Sequence, residues 1–207
     1  MGADAERAAM VQTQLVARGI EDPRVLAAMQ TVPREAFVPE DVAYAAYSDR
    51  PLPIGHDATI SQPYIVALMS ELARVGPGDR VLDVGTGSGY QAAVLAQMGA
   101  EVYGIELVEP LTAFADERLR AAGYHADVVT GDGHAGRPEH APYAAIVCAA
   151  AADTVPTALL EQLAVGGRLV IPVGPAWGDS VLEVVTRTAE GFETTDSIPV
   201  RFVPLRH

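Results

Sequence analysis

The chain has 207 residues, enough for one large domain and too few for two. A hydrophobic content of 49% with 20% charged residues is that of a globular protein and excludes wholesale disorder. The formal net charge of −13 gains nothing from counterion release on nucleic acid and is repelled by anionic lipid, so neither is an expected partner.

In chain order, Asp4 to Arg18 predicts a helix with Val11 and Leu15 on one face, and its mixed charge lacks the continuous apolar stretch of a signal peptide. Pro23, at a first helical position, opens a short helix carrying Val25, Leu26 and Met29. Pro33, Pro39, Pro51 and Pro53 forbid a long helix between Val32 and Ile54. Gln62 to Arg74 predicts a helix with Ile65, Leu68, Met69 and Leu72 at helical spacing, and Pro77-Gly78-Asp79 a turn.

From there the texture changes. Strands are predicted at Arg80 to Asp83, Glu101 to Glu106, Ala126 to Thr130, Tyr143 to Cys148 and Arg168 to Val173. Helices fall between them at Tyr90 to Met98, Pro110 to Ala122 and Pro156 to Leu163, the last ended by Gly166-Gly167. Such alternation argues an α/β fold, a doubly wound parallel sheet with helices on both faces. Val181 to Thr186 and Ile198 to Val203 lack an intervening helix and predict an antiparallel C-terminal edge. Residues 1–78 thus form an N-terminal helical and substrate-loop segment, packed with the 79–207 core into one domain. Cys148 is the single cysteine, so no intrachain disulfide is possible, and no stretch is long and apolar enough for a membrane span. A cytoplasmic monomer is the expectation.

The strongest local signal is Asp83-Val84-Gly85-Thr86-Gly87-Ser88-Gly89-Tyr90, between an apolar strand and a helix. Alternate glycines let backbone approach a ligand, and the helix start offers free N–H groups. A dinucleotide-binding loop is the first rival. It needs a small residue where Tyr90 stands, and the acid two positions before Gly85 suits a cationic, amino-acid-like ligand end better than a pyrophosphate. S-adenosylmethionine is such a ligand. Glu106, followed by Leu107, ends the next strand and is placed to accept both ribose hydroxyls. Asp132, in Gly131-Asp132-Gly133 after the third strand, is placed to accept from the adenine amino group. The bland alternative is a tight strand–helix turn with two exposed loop acids.

Several further stretches carry a resemblance. They are VPREAFVP (32–39), YSDRPLPIG (47–55), TISQP (59–63), GTGSGYQAAVL (85–95), GDG (131–133), PEHAPY (138–143) and PVRFVPL (199–205). In these the chain resembles the protein-L-isoaspartate O-methyltransferase family over nearly its whole length. The glycine loop is shared by many methyltransferases, whereas PLPIG, TISQP and VRFVPL are far more specific. The resemblance implies a class I methyltransferase sheet using S-adenosyl-L-methionine, with S-adenosyl-L-homocysteine as product. The methyl acceptor is the free α-carboxylate of L-isoaspartyl residues in damaged proteins and peptides. Ser61 matches the family's active-site serine, with Thr59 beside it, and Ile60 is implied to line the substrate site. His56, three residues before Thr59, is expected to line it as well, though not as a base. Departures from the family pattern are Cys148 for threonine, Ala144 for aspartate, Arg137 for tryptophan, Asp57-Ala58 before Thr59, and Ser180 near a usual glutamine.

That chemistry fits the residues. A carboxylate with a pKa near ~3.5–4 is already ionised at neutral pH, so no general base is needed and the lack of a His–Asp pair is no objection. Opposite charges cancel in the transition state, and excluding water removes solvation that holds them apart. Alignment contributes on the order of 7–11 kcal/mol. A serine hydroxyl positions a carboxylate oxygen without adding charge. Pro51, Pro53 and Gly55 suit a stiff loop over the substrate. The rivals are a methyltransferase for another carboxylate or a small molecule, and a non-catalytic S-adenosylmethionine-binding module. The latter has no need of Thr59 and Ser61. Cys148 reads as packing, and His134, Glu139 and His140 match no common zinc spacing, so no metal is expected.

Overall fold

The computed structural model describes residues 2–175 and 178–207. Helix α1 (Ala3–Met10) runs into a π-turn (Val11–Leu15) and a 3-10 turn (Val16–Arg18) closed by Gly19 at φ 88°. The predicted single helix over 4–18 is therefore helical throughout but changes pitch. Its widened turn keeps Met10, Val11 and Leu15 buried together. Helix α2 (Pro23–Thr31) starts as expected, with the Asp22 side chain accepting from the Arg24 amide.

The proline-rich stretch holds two 3-10 turns (Arg34–Phe37 and Glu40–Ala45), then a hairpin, β1 (Leu52–Gly55) with β2 (Ala58–Ile60). Sequence reasoning expected only a loop there. The prolines hid the strands, because only Leu52, Ile54 and Ile60 point inward from so short a pair. His56 and Asp57 make the turn with φ of 54° and 59°, the left-handed pair that a two-residue hairpin requires. Helix α3 (Pro63–Ala73) follows.

Among the described residues, seven strands form the main sheet: β3 (Arg80–Val84), β4 (Glu101–Glu106), β5 (Asp127–Thr130), β6 (Tyr143–Cys148), β7 (Leu163–Val173), β8 (Ser180–Arg187) and β9 (Phe192–Val200). Their order is β5-β4-β3-β6-β7-β8-β9. Pairings are parallel from β5 to β7, and β8 and β9 add the antiparallel edge. Helices α4 (Tyr90–Gln97), α5 (Glu109–Ala121) and α6 (Thr157–Glu161) lie between strands as predicted. Residues 81–84 and 145–148 are buried without alternation, as strands covered on both faces must be.

Two predictions need correction. Gly166-Gly167 does not end a helix but sits inside β7, where the register against β6 shifts. A Cβ on Gly167 would lie 2.8 Å from the Ala164 and Tyr143 carbonyls, so glycine there admits a close backbone approach. The last strand spans Phe192–Val200 rather than 198–203. Its first half, Phe192 to Asp196, is exposed at the sheet edge and so carries no apolar alternation. Past Val200 the chain crosses the strand ends, with Val203 and Leu205 hydrogen-bonded to Ala151.

The N-terminal segment packs on α4. The Phe37 and Tyr90 rings lie 5.7 Å apart, and the Tyr90 hydroxyl reaches Met29 Sδ at 3.7 Å. Tyr90, excluded above from a dinucleotide loop by its size, thus joins helix to helix.

Candidate active site

Strand order reverses at β3 and β6, and the crevice beyond their carboxyl ends is where open α/β sheets bind ligands. A cleft lies there with two walls. One comprises Gly85, Thr86, Gly87 and Ser88 after β3, Glu106 and Leu107 after β4, and Gly133 after β5. The other comprises Asp57 to Ser61 of the hairpin. The walls touch: a Cβ on Gly87 would meet Ile54 Cδ1 of β1 at 3.4 Å. Ala149 and Ala150 after β6 and Val203 to Arg206 close the cleft from the side. A second groove shares Thr59, Ser61, Ala149 and Val203 with this cleft and continues past Tyr64 and Gln62 along residues 198–203.

On the first wall, Glu106 is nearly buried. It accepts the Gly87 amide at 2.8 Å and the Val108 amide at 3.0 Å, one on each oxygen, which leaves each oxygen further accepting capacity. Gly85 and Gly87 have φ of 77° and 53°, conformations only glycine adopts freely. Gly89 faces away instead. A Cβ there would meet Leu119 of α5 at 3.1 Å, so that glycine serves helix packing. Gly133 is hemmed by Val84 and Leu205, at 2.7 and 3.0 Å from a notional Cβ.

Asp83 is fully buried beneath the loop. The Thr86 hydroxyl donates to its main-chain carbonyl at 3.1 Å, and neither carboxylate oxygen has a partner among the described residues. Burial, reinforced by the Glu106 charge, pushes its carboxyl up to about 7. A buried acid left unpaired in this way suits a cationic ligand group.

Asp132 is drawn aside from the cleft. Its Oδ1 accepts the His134 amide and meets His134 Nδ1 at 2.9 Å, while Oδ2 meets His207 Nδ1 at 3.0 Å. The two rings stack at 3.9 Å. Burial alone would raise this carboxyl, but those hydrogen bonds outweigh it and hold it down at about 2. The residues weighed for a metal diverge: Glu139 pairs with Arg137 at 3.0 Å, and His140 stacks on Tyr103 at 4.0 Å. His134 instead meets Asp132 and His207, a grouping that sequence spacing could not reveal.

On the second wall, Thr59 is exposed, Ser61 half-buried and Ile60 buried. His56 stands at the hairpin turn and does not line the cleft, whereas Asp57 does. Cys148 is buried, its Sγ 3.3 Å from the Ala150 carbonyl, and burial pushes the thiol up to about 12, so it is inert. Sequence reasoning missed Ala149 and Ala150, although their place directly after a strand beside β3 was a usable signal. It also missed Arg34, fully buried behind Ser61, whose carbonyl accepts from Nη2 at 2.9 Å.

The family model for protein-L-isoaspartate(D-aspartate) O-methyltransferase matches residues 5–207. Curated relatives called protein-L-isoaspartate O-methyltransferase include one from Gloeobacter violaceus, 55% identical over 197 residues, covering 95% of this chain and 96% of the relative. Another, from Methylorubrum populi, is 56% identical over 202 residues, covering 98% and 95%. Among solved structures, one from Plasmodium falciparum described as such an enzyme in complex with S-adenosyl-L-homocysteine aligns with a TM-score of 0.82. It is 28% identical and covers 96% of this chain and 97% of that one. With this cleft, this sheet order and these matches, the chain belongs to the protein-L-isoaspartate (D-aspartate) O-methyltransferase family.

Proposed function

We propose that the cleft carries out repair methylation, moving a methyl group from S-adenosyl-L-methionine to the free α-carboxylate of L-isoaspartyl residues in damaged proteins and peptides. The observation that carries the reading is the meeting of the two walls: glycine loop and Glu106 on one side, Thr59 to Ser61 on the other, in one cleft. The residues fit the cofactor. Asp83 offers a buried, unpartnered carboxylate for an ammonium group, Glu106 has free lone pairs for ribose hydroxyls, and Gly85, Gly87 and Gly133 leave backbone bare. When bound, the cofactor supplies an electrophilic methyl on a cationic sulfur.

The chain's own tasks are binding, orientation and exclusion of water. Ser61 donates its hydroxyl to one oxygen of the acceptor carboxylate, and Thr59 and Ile60 flank it. Leu107 on the first wall and Leu205 at the side give the cleft apolar surface that keeps the reacting charges dry. No proton need be removed from an ionised carboxylate. The second groove, continuous with the cleft at Ser61, takes the polypeptide on either side of the damaged residue. Among the described residues no helix is long and apolar enough to cross a membrane. We take the protein to act as a cytoplasmic monomer on isoaspartyl chains, without a nucleic-acid partner. The test is methyl transfer from labelled cofactor to a synthetic L-isoaspartyl peptide and to its aspartyl twin. Labelling confined to the first is expected, and equal labelling or none overturns the proposal.

A further inference from the structure

Among the described residues, Arg34 is the largest fully buried side chain. Nη1 donates to the Ala46 carbonyl, and Nη2 donates to the carbonyls of Arg50 at 3.4 Å and Ser61 at 2.9 Å. One guanidinium therefore joins the 3-10 turn at 34–37, the stretch leading into the hairpin, and the serine itself. Nε is buried with no partner among the described residues.

Buried guanidinium groups are ordinarily paired with a carboxylate. Among the described residues, none lies within ion-pair distance of Arg34. The acids and phenols around it are engaged elsewhere. Glu35 accepts from the Tyr47 hydroxyl and lies 3.9 Å from Arg7. Asp49 is held by Arg18 at 2.5 Å. Tyr90 presents its ring 5.8 Å away. Burial pulls the Arg34 pKa down to about 10, which still leaves a full positive charge at neutral pH.

Backbone carbonyls alone do not call for a charge, since neutral donors satisfy them at lower desolvation cost. The side chain nevertheless places an unpaired cation directly behind the residue that faces the acceptor. We infer that Arg34 is a positioning residue whose buried charge is the counter-charge for the anion held at Ser61. It fixes the Ser61 main chain and makes the site prefer a carboxylate over a neutral group of the same shape. This rests on the reading of the cleft given above.

The test compares two peptides binding to the S-adenosylhomocysteine-loaded protein. One carries L-isoaspartate and the other L-isoasparagine, its α-carboxamide twin. The wild type is expected to favour the carboxylate by roughly tenfold or more, the scale of one charge interaction at partial burial. Arg34→Gln should abolish most of that preference while affinity for S-adenosylhomocysteine stays within about twofold, the sign of an intact fold. Equal loss of affinity for both peptides, with the ratio preserved, means a scaffold role and overturns the inference.

Arg34→Lys decides the matter if the glutamine variant fails to fold. A lysine buried there without a partner has a depressed pKa, so its carboxylate preference should fade between about pH 6.5 and 9.5 while the wild type's stays level. A level ratio in the lysine variant overturns the inference. If the wild type binds neither peptide, the repair reading fails instead, and the two failures are distinct.

Discussion

The two walls of the cleft are made in opposite ways. The cofactor wall hangs from the ends of consecutive parallel strands, and its working groups are backbone amides, bare glycines and acids set by strand register. The substrate wall is a hairpin of three residue pairs beside 3-10 turns, held to the rest through the Arg34 guanidinium. The first takes its precision from a buried sheet. The second takes it from a few polar contacts and a short turn. Binding of the cofactor should therefore survive changes on the hairpin, while substrate handling should not.

Four changes break or sharpen that contrast. The largest effect is expected from Ser61→Ala, which should lower kcat/KM for an isoaspartyl peptide by roughly 10²-fold, the cost of losing the group that orients the acceptor carboxylate. Affinity for S-adenosylhomocysteine, read by calorimetry, should stay the same, and its loss would put Ser61 on the wrong wall.

Asp83 comes next. Its carboxyl is held at about 7 in the folded chain, against an ordinary value near 3.8. The folded state thus binds the proton more tightly than the unfolded one. Stability of the ligand-free protein should decline as pH rises from about 4 to about 7 and level off above, by an amount of order 2–4 kcal/mol. Asp83→Asn should flatten that slope in denaturant titrations and weaken S-adenosylhomocysteine binding at pH 8. An unchanged slope would mean that the carboxylate is paired.

Glu106→Gln should weaken S-adenosylhomocysteine by roughly tenfold, because an amide offers one acceptor oxygen where the carboxylate offers two. Unaltered affinity would remove Glu106 from the ribose. The smallest effect belongs to His56→Gly. Relieving a left-handed residue in the hairpin turn should raise stability by no more than about 1 kcal/mol in thermal melts. A tenfold or larger change in kcat/KM would show that His56 serves the substrate site.

The contrast also explains what the sequence discloses. Glu101–Glu106 and Tyr143–Cys148 are predicted with the bounds the structure has, because strands buried on both faces are continuous apolar runs. The glycine loop and Glu106 are legible for the same reason, being fixed by where those runs stop. The hairpin at 52–60 was not legible from periodicity, since prolines and two turn residues interrupt it, and only the family resemblance pointed to Ser61. Arg34 lies in the VPREAFVP stretch that carries the resemblance, but a single arginine in a proline-rich stretch does not disclose that three distant carbonyls converge on it. The meeting of Asp132 with His207 is equally silent, because it joins a strand end to residues far along the chain.

The most direct measurement is a crystal structure with S-adenosylhomocysteine and an isoaspartyl peptide bound together. The account predicts the ammonium group over Asp83, the ribose on Glu106, and the sulfur facing a carboxylate held by the Ser61 hydroxyl. A ligand lodged away from the β3–β6 crevice, or Ser61 turned from the sulfur, would contradict it.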